Sequence, residues 1–177
     1  MRTALDEASL AAVAGDVPVG AVIAIDGRII ARAHNSMRAS GNPTLHAELL
    51  AIDSAIQYLQ SKAALSVVRS PGDSATDTDA VSTQAVEQRL EQCTLVVTLE
   101  PCAMCAGAIV LARVGRLVFG AWDDKAGMCG SIGDLVRHPK LNHRPEVTAG
   151  VLHEESARLL KEFFAVRRGA SPHHVPR

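Results

Sequence analysis

Two short motifs far apart in the chain, His46-Ala47-Glu48 and Pro101-Cys102-Ala103-Met104-Cys105, constrain this protein more than any other feature of its sequence. Each falls where a strand or loop runs into a helical pattern, so if both serve one metal ion, the fold must bring two helix starts to one point. Cys102 and Cys105 are three residues apart at such a start. Their sulfurs then point the same way, and the positive end of the helix favours the thiolates that zinc requires. With His46 they make three donors, the number a catalytic zinc site takes from protein while leaving its fourth tetrahedral position open. Glu48 is left over as the proton-transfer group. Residues two apart on a regular helix diverge by about 200°, so His46 is expected at the irregular helix start, with Glu48 entering the pocket from another side.

Either motif alone is a weak signal. A thioredoxin-like cysteine pair would leave His46 and Glu48 without a role. Cys129 as a fourth ligand would close the site into a structural one, but it lies in a Gly-rich stretch without a matching motif. Cys93 and Cys129 are read as ordinary thiols, and His34, His138, His143 and His153 as surface or supporting residues.

The remaining pattern alternates helices and strands. Thr3 to Ala14 is Ala- and Leu-rich with Asp6 and Glu7 early, as suits a helix that ends at Gly15. Val17 to Ile25 and Arg28 to His34 are β-branched runs joined by Asp26-Gly27, a strong hairpin signal. A helix is predicted from about Leu45 to Gln60, strands over Thr94 to Leu99 and Leu117 to Ala121, and a helix opening at Glu100-Pro101 between them. The Gly-rich segment from Trp122 to Arg144 reads as a long ordered loop that covers a pocket. Glu146 to Val151 reads as a last strand and His153 to Arg168 as an amphipathic helix, with Phe163 and Phe164 near its apolar stripe and at least one of them in the core. Strands interleaved with helices imply an α/β or α+β layered sheet.

At 177 residues, 47% apolar and 21% charged, the chain is long enough for one well-filled core. It is read as one domain over residues 1–168, with an inserted polar loop at about 61–86 and a flexible tail at 169–177. No apolar run approaches the roughly 18 residues of a spanning helix, and no signal core follows Met1, so the expected location is cytoplasmic. A net charge of −1 argues against holding long nucleic acid by counterion release. It leaves room for a small RNA held locally, and Lys161, Arg167, Arg168 and Arg177 concentrate base late in the chain.

The order H-x-E…P-C-x-x-C is the signature of zinc deaminases, and here the chain resembles the cytidine deaminase-like superfamily and, within it, the bacterial tRNA-specific adenosine deaminases. The resemblance runs through Val17-Pro18-Val19-Gly20-Ala21-Val22, Asn35, Pro43 to Glu48 and Thr98 to Ala108. It continues in Val118-Phe119-Gly120-Ala121, Gly130-Ser131, His138-Pro139, Asn142-His143-Arg144, Phe163-Phe164 and Arg167-Arg168. It implies a three-layer α/β/α fold with a mixed five-stranded sheet flanked by helices, and hydrolytic deamination of adenosine to inosine at the tRNA wobble position. It further implies one zinc ion per chain on His46, Cys102 and Cys105, with Glu48 shuttling the proton. Asn35 and the backbone at Ala47 would line the nucleoside pocket, Phe164, Arg167 and Arg168 would contact the anticodon loop, and the protein would be a homodimer.

The chain departs from the family pattern in its long 61–86 stretch, in Asn42 where Asp is usual, in Leu45 before the metal-binding His, and in Trp122 where a basic residue is common. It also begins within what matches the family's first helix, so a short N-terminal piece is expected to be missing. Two other readings share the motifs. One is a free nucleobase or nucleoside deaminase of guanine or cytosine type; the other is an inactive, zinc-stabilised RNA-binding subunit, against which Glu48 argues.

Overall fold

A computed structural model of the chain describes residues 1–67 and 90–169. The elements run α1 (Arg2–Val13), β1 (Gly20–Ile25), β2 (Arg28–His34), α2 (Met37–Ser40) and α3 (Ala47–Val67). They continue with β3 (Cys93–Leu99), α4 (Ala103–Leu111), β4 (Arg116–Ala121), β5 (Glu146–Thr148) and α5 (His153–Gly169). The strands form one five-stranded sheet in the order β2-β1-β3-β4-β5. β1 is antiparallel to β2 and to β3, whereas β3, β4 and β5 are mutually parallel, so the sheet is mixed as the resemblance implied. At the hairpin, Asp26 and Gly27 both have positive φ (48° and 75°), the condition for a tight two-residue turn between strands.

Small residues set how closely the helices approach. Ala4, Ala8 and Ala11 of α1 and Ala47, Ala51 and Ala55 of α3 are each fully buried at helical spacing. Ala21, Val97 and Phe119 are paired neighbours across β1, β3 and β4. One residue along lies the row Gly20, Thr98 and Gly120, and here the fold has no room for larger side chains. A Cβ on Gly20 would stand 2.1 Å from the Ala4 carbonyl oxygen of α1, and one on Gly120 would stand 2.3 Å from Ser156 Oγ of α5. Between them, buried Thr98 accepts a 3.1 Å hydrogen bond from the Gly20 N–H through Oγ1. Helices α1 and α5 therefore cover this face, and α3 and α4 the other.

Several boundaries differ from the sequence reading. α3 runs on to Val67 because Ser61 to Val67 still contains helix formers such as Lys62, Ala63, Ala64 and Leu65; residues 68–86 of the expected insertion lie outside the described residues. The tail beyond Gly169 does so too. α4 begins at Ala103 with Cys102 as its N-cap, so Pro101 precedes the helix instead of occupying its first turn. β5 stops at Thr148, because Gly150 in the left-handed region (φ 78°) turns the chain toward α5. Among the described residues no helix is long and apolar enough to cross a membrane.

If the glycine row sets the helix spacing, Gly120→Ala must displace α5 from β4. The expected cost is about 1–3 kcal/mol or more, the range for overpacking a filled interior. A lower urea midpoint with an unchanged slope measures it.

Candidate active site

The parallel pair β3 and β4 and the antiparallel strand β1 place three chain segments at one end of the sheet: Val17 to Val19 leading into β1, Leu99 and Glu100 leaving β3, and Asp123 following β4. The first residues of α3 and α4 lie at the same end. This is the carboxyl end of the parallel strands, where open α/β sheets bind ligands. A pocket here is lined by His46, Glu48 and Cys102, together with Asn35, Glu100 and Asp123. Val17, Val19, Met37, Leu99 and Ala126 complete its apolar wall.

His46 stands one residue before α3, at the irregular start that its role requires. Its Nδ1 lies 3.7 Å from Cys102 Sγ and 3.5 Å from Cys105 Sγ. Tetrahedral zinc with a nitrogen at about 2.0–2.1 Å and a sulfur at about 2.3 Å separates the two by about 3.6 Å, so the donor spacing fits. Among the described residues no other group of three donors converges within 4.8 Å. Cys129 is not a fourth member; its buried Sγ contacts the Pro101 carbonyl at 3.9 Å.

The electrostatics couple metal binding to proton release. Hydrogen bonding from Cys105, then from His46, holds the Cys102 thiol down to about 3. The same bond and burial push Cys105 up, and the contact with Cys102 raises His46 against the opposing effect of burial. A dication that takes both sulfurs and Nδ1 must therefore expel protons from Cys105 and His46.

Glu48 is 3% exposed and its Oε2 has no hydrogen-bond partner. Burial, the largest cause, pushes its pKa up, the direction that suits a carboxyl that both accepts and donates a proton. Asn35 is also buried. Its Oδ1 accepts the Ala47 N–H at 2.9 Å, which ties the end of β2 to the start of α3 and leaves its amide nitrogen for a ligand. Ala47 is fully buried and takes part through that N–H.

Phe164 lies in an adjoining groove with Trp122 and Leu160, which shares Val17, Leu99 and Asp123 with the pocket. Arg167 lines a different groove, between α1 and α5, where its guanidinium stacks 5.2 Å from the centre of the Phe163 ring. Arg168 is exposed near the end of α5. The structure thus does not bring the two arginines to the pocket. Neither phenylalanine joins the core cluster; Phe163 is half-buried and Phe164 is exposed. Asn42 shows how one departure is absorbed, since its Oδ1 accepts from Thr44 N–H (3.0 Å) and Thr44 Oγ1 (2.7 Å), a turn that aspartate makes equally well.

The sequence reading gave no role to Glu100 or Asp123. Glu100 is 2% exposed, and burial raises its pKa, but hydrogen bonds from Ser131, Asp123 and Cys129 outweigh this and hold it below the ordinary carboxylate value. The available signal was a carboxylate in the turn directly before the cysteine motif.

The family model for the cytidine and deoxycytidylate deaminase zinc-binding region matches residues 1–121. Across 164 residues the chain is 42% identical to a tRNA-specific adenosine deaminase of Bacillus subtilis, covering 93% of this chain and 86% of the relative. The chain belongs to the tRNA-specific adenosine deaminase family. A solved tRNA:A34 deaminase, described for A-to-I editing at the wobble position of transfer RNA, is similar at 38% identity and TM-score 0.72, with 90% of this chain and 97% of that one covered. A guanine deaminase of Nitrosomonas europaea shares the fold at 22% identity and TM-score 0.66, over 92% of this chain and 81% of that one. Within this adenosine deaminase family member, zinc is the cofactor, and the donor set described above is chemically suited to it.

Two outcomes follow. Adding zinc to metal-free protein near pH 7 should release protons, read in weakly buffered solution with an indicator dye, and zinc affinity should fall as pH falls. Because the folded-state pKa of Glu48 is raised, its buried charge destabilises the zinc-free protein above that value and costs nothing below the unfolded pKa. Glu48→Gln should accordingly raise the melting temperature of zinc-free protein at pH 8, with the gain vanishing below about pH 4, where both states hold the proton.

Proposed function

We propose that the chain catalyses hydrolytic deamination of adenosine to inosine at the wobble position of tRNA. The observation that carries this reading is the unpartnered Glu48 Oε2 beside a His46–Cys102–Cys105 donor set in one pocket. Membership of the adenosine deaminase family, with 42% identity to the Bacillus subtilis relative, supplies the substrate class.

His46, Cys102 and Cys105 would hold the zinc, which supplies the Lewis acidity that makes water a nucleophile near pH 7. Glu48 takes a proton from the attacking water at Oε2 and delivers it to purine N1 as the oxygen bonds to C6. It then takes the remaining hydroxyl proton and passes it to the amino nitrogen, which leaves as ammonia while the C6 carbonyl forms. The free amide nitrogen of Asn35 orients the nucleoside, and the apolar wall of Val17, Val19, Met37 and Leu99 excludes water from it. Phe164 stacks on an unpaired anticodon-loop base, and Arg167 and Arg168 reach phosphates outside the pocket, a mode that needs little net charge.

The protein further reads as cytoplasmic, from the tRNA substrate proposed for it, and as a homodimer. Met104, Gly107 and Leu111 recur at helical spacing on α4, with Leu111 80% exposed beside a groove formed by Val110, Leu135 and Leu141. A second copy of the chain would bury this apolar face.

Purified zinc-loaded protein should form inosine in an anticodon stem-loop carrying wobble adenosine and leave free adenosine, guanine and cytosine unchanged; turnover of a free base alone would overturn the substrate. Glu48→Gln should lower kcat by about 10²–10⁴-fold with zinc still bound at about one per chain, whereas Cys102→Ala should lose the zinc. Leu111→Glu should turn a dimer into a monomer by light scattering, and an already monomeric wild type would refute the dimer.

A further inference from the structure

Glu100 is a buried carboxylate in the turn between β3 and the metal-binding cysteines, and among the described residues it has no ion-pair partner. A charge in that position persists only if hydrogen bonds replace its water. All hydrogen bonds to the carboxylate come from one other segment. Oε1 accepts from Cys129 N–H at 2.9 Å and Ser131 N–H at 3.0 Å, and Oε2 accepts from Asp123 N–H at 3.0 Å and from Ser131 Oγ. The segment closes around the carboxylate so tightly that a Cβ on Gly127 would lie 2.3 Å from Oε2. On either side, Met128 N–H bonds the Pro101 carbonyl at 2.9 Å, and Gly127 bridges to Cys102.

We propose that Glu100 is a positioning residue for the deaminase reaction, whose carboxylate sets the distance between the cysteine turn and the Asp123–Ser131 segment that walls the substrate pocket. The inference rests on the deaminase reading above and adds a determinant of substrate fit to it. Asp123 and Ala126 line the pocket and belong to the clamped segment. Asp123 Oδ1 in turn accepts from Lys125 N–H at 3.0 Å and Ala126 N–H at 3.2 Å, so fixing the Asp123 backbone fixes the whole wall. Among the described residues no other side-chain atom takes the Asp123 N–H, and a neutral amide cannot stand in for the carboxylate. In Glu100→Gln, an NH₂ group in place of Oε2 leaves Ser131 Oγ able to turn and accept, but it faces the Asp123 N–H donor to donor.

The test compares wild type, Glu100→Gln and Ser131→Ala, all zinc-loaded, on the wobble-adenosine stem-loop. Glu100→Gln should raise KM about tenfold with kcat within about threefold, the scale of one lost charge-assisted hydrogen bond. Zinc should stay near one per chain, and the Asp123 amide should exchange hydrogen about tenfold faster than in wild type while β3 and β4 stay protected. Ser131→Ala, which removes one of the four bonds, should move KM the same way by about two- to threefold, and it carries the test if Glu100→Gln does not fold. An unchanged KM in both variants overturns the proposal. So does a joint fall in kcat, zinc content and melting temperature at constant KM, which marks a purely structural role. If wild type does not act on the stem-loop, the substrate reading falls, and exchange at Asp123 decides the positioning role alone: unchanged protection in the variant refutes it.

Discussion

Three donor atoms from two distant chain segments must come within bonding distance of one point to hold a zinc ion, and the mixed sheet is arranged so that they do. Parallel β3 and β4 require the chain to cross back through α4, which leaves the start of α4 at the carboxyl end of β3. β1 runs the other way, so its beginning lies at that same end. α3 starts there because Asn35, at the end of β2, caps the Ala47 N–H. The two positive helix ends then face a single pocket, where they favour the thiolate of Cys102 and the binding of a dication by a formally dianionic cysteine pair.

Around this pocket, three buried carboxylates are used in two ways. Asp16 accepts from Val17 N–H at 2.9 Å and Arg38 N–H at 2.7 Å, which fixes the approach to β1 against α2. Glu100 does the same for the loop after β4. Both exchange water for backbone N–H groups and become rigid supports. Glu48 is equally buried but keeps one oxygen unpartnered. Burial raises its pKa and costs stability, and it would suit the carboxylate to accept and return a proton in the proposed reaction. The difference between support and reactant is thus whether the surrounding backbone donors have been provided.

Much of this was legible in the sequence, for local reasons. The hairpin at Asp26-Gly27 follows from residues that tolerate positive φ, and the five strands and the longer helices follow from apolar spacing. His46, Glu48, Cys102 and Cys105 stood out because metal and proton chemistry need those side chains at those spacings. What escaped was non-local. From the sequence Glu100 reads only as part of the turn that opens a helix, since its partners lie more than twenty residues on in a loop with no repeating pattern. Phe164 and Arg167 sit three apart on one helix, yet they line different grooves, because other segments lie opposite each: the end of α1 by Arg167 and the residues after β4 by Phe164.

The sequence by itself determined the chemistry: which atoms can bind zinc, which carboxyl can move a proton, and which segments form helices or strands. Tertiary structure decided the distances, among them the 3.5–3.7 Å between His46 and the two sulfurs. It also decided that Glu48 keeps one oxygen without a partner while both oxygens of Glu100 are supplied. Residue type and spacing act over one or two turns of chain, whereas burial and hydrogen-bond satisfaction depend on what other segments bring to the same place.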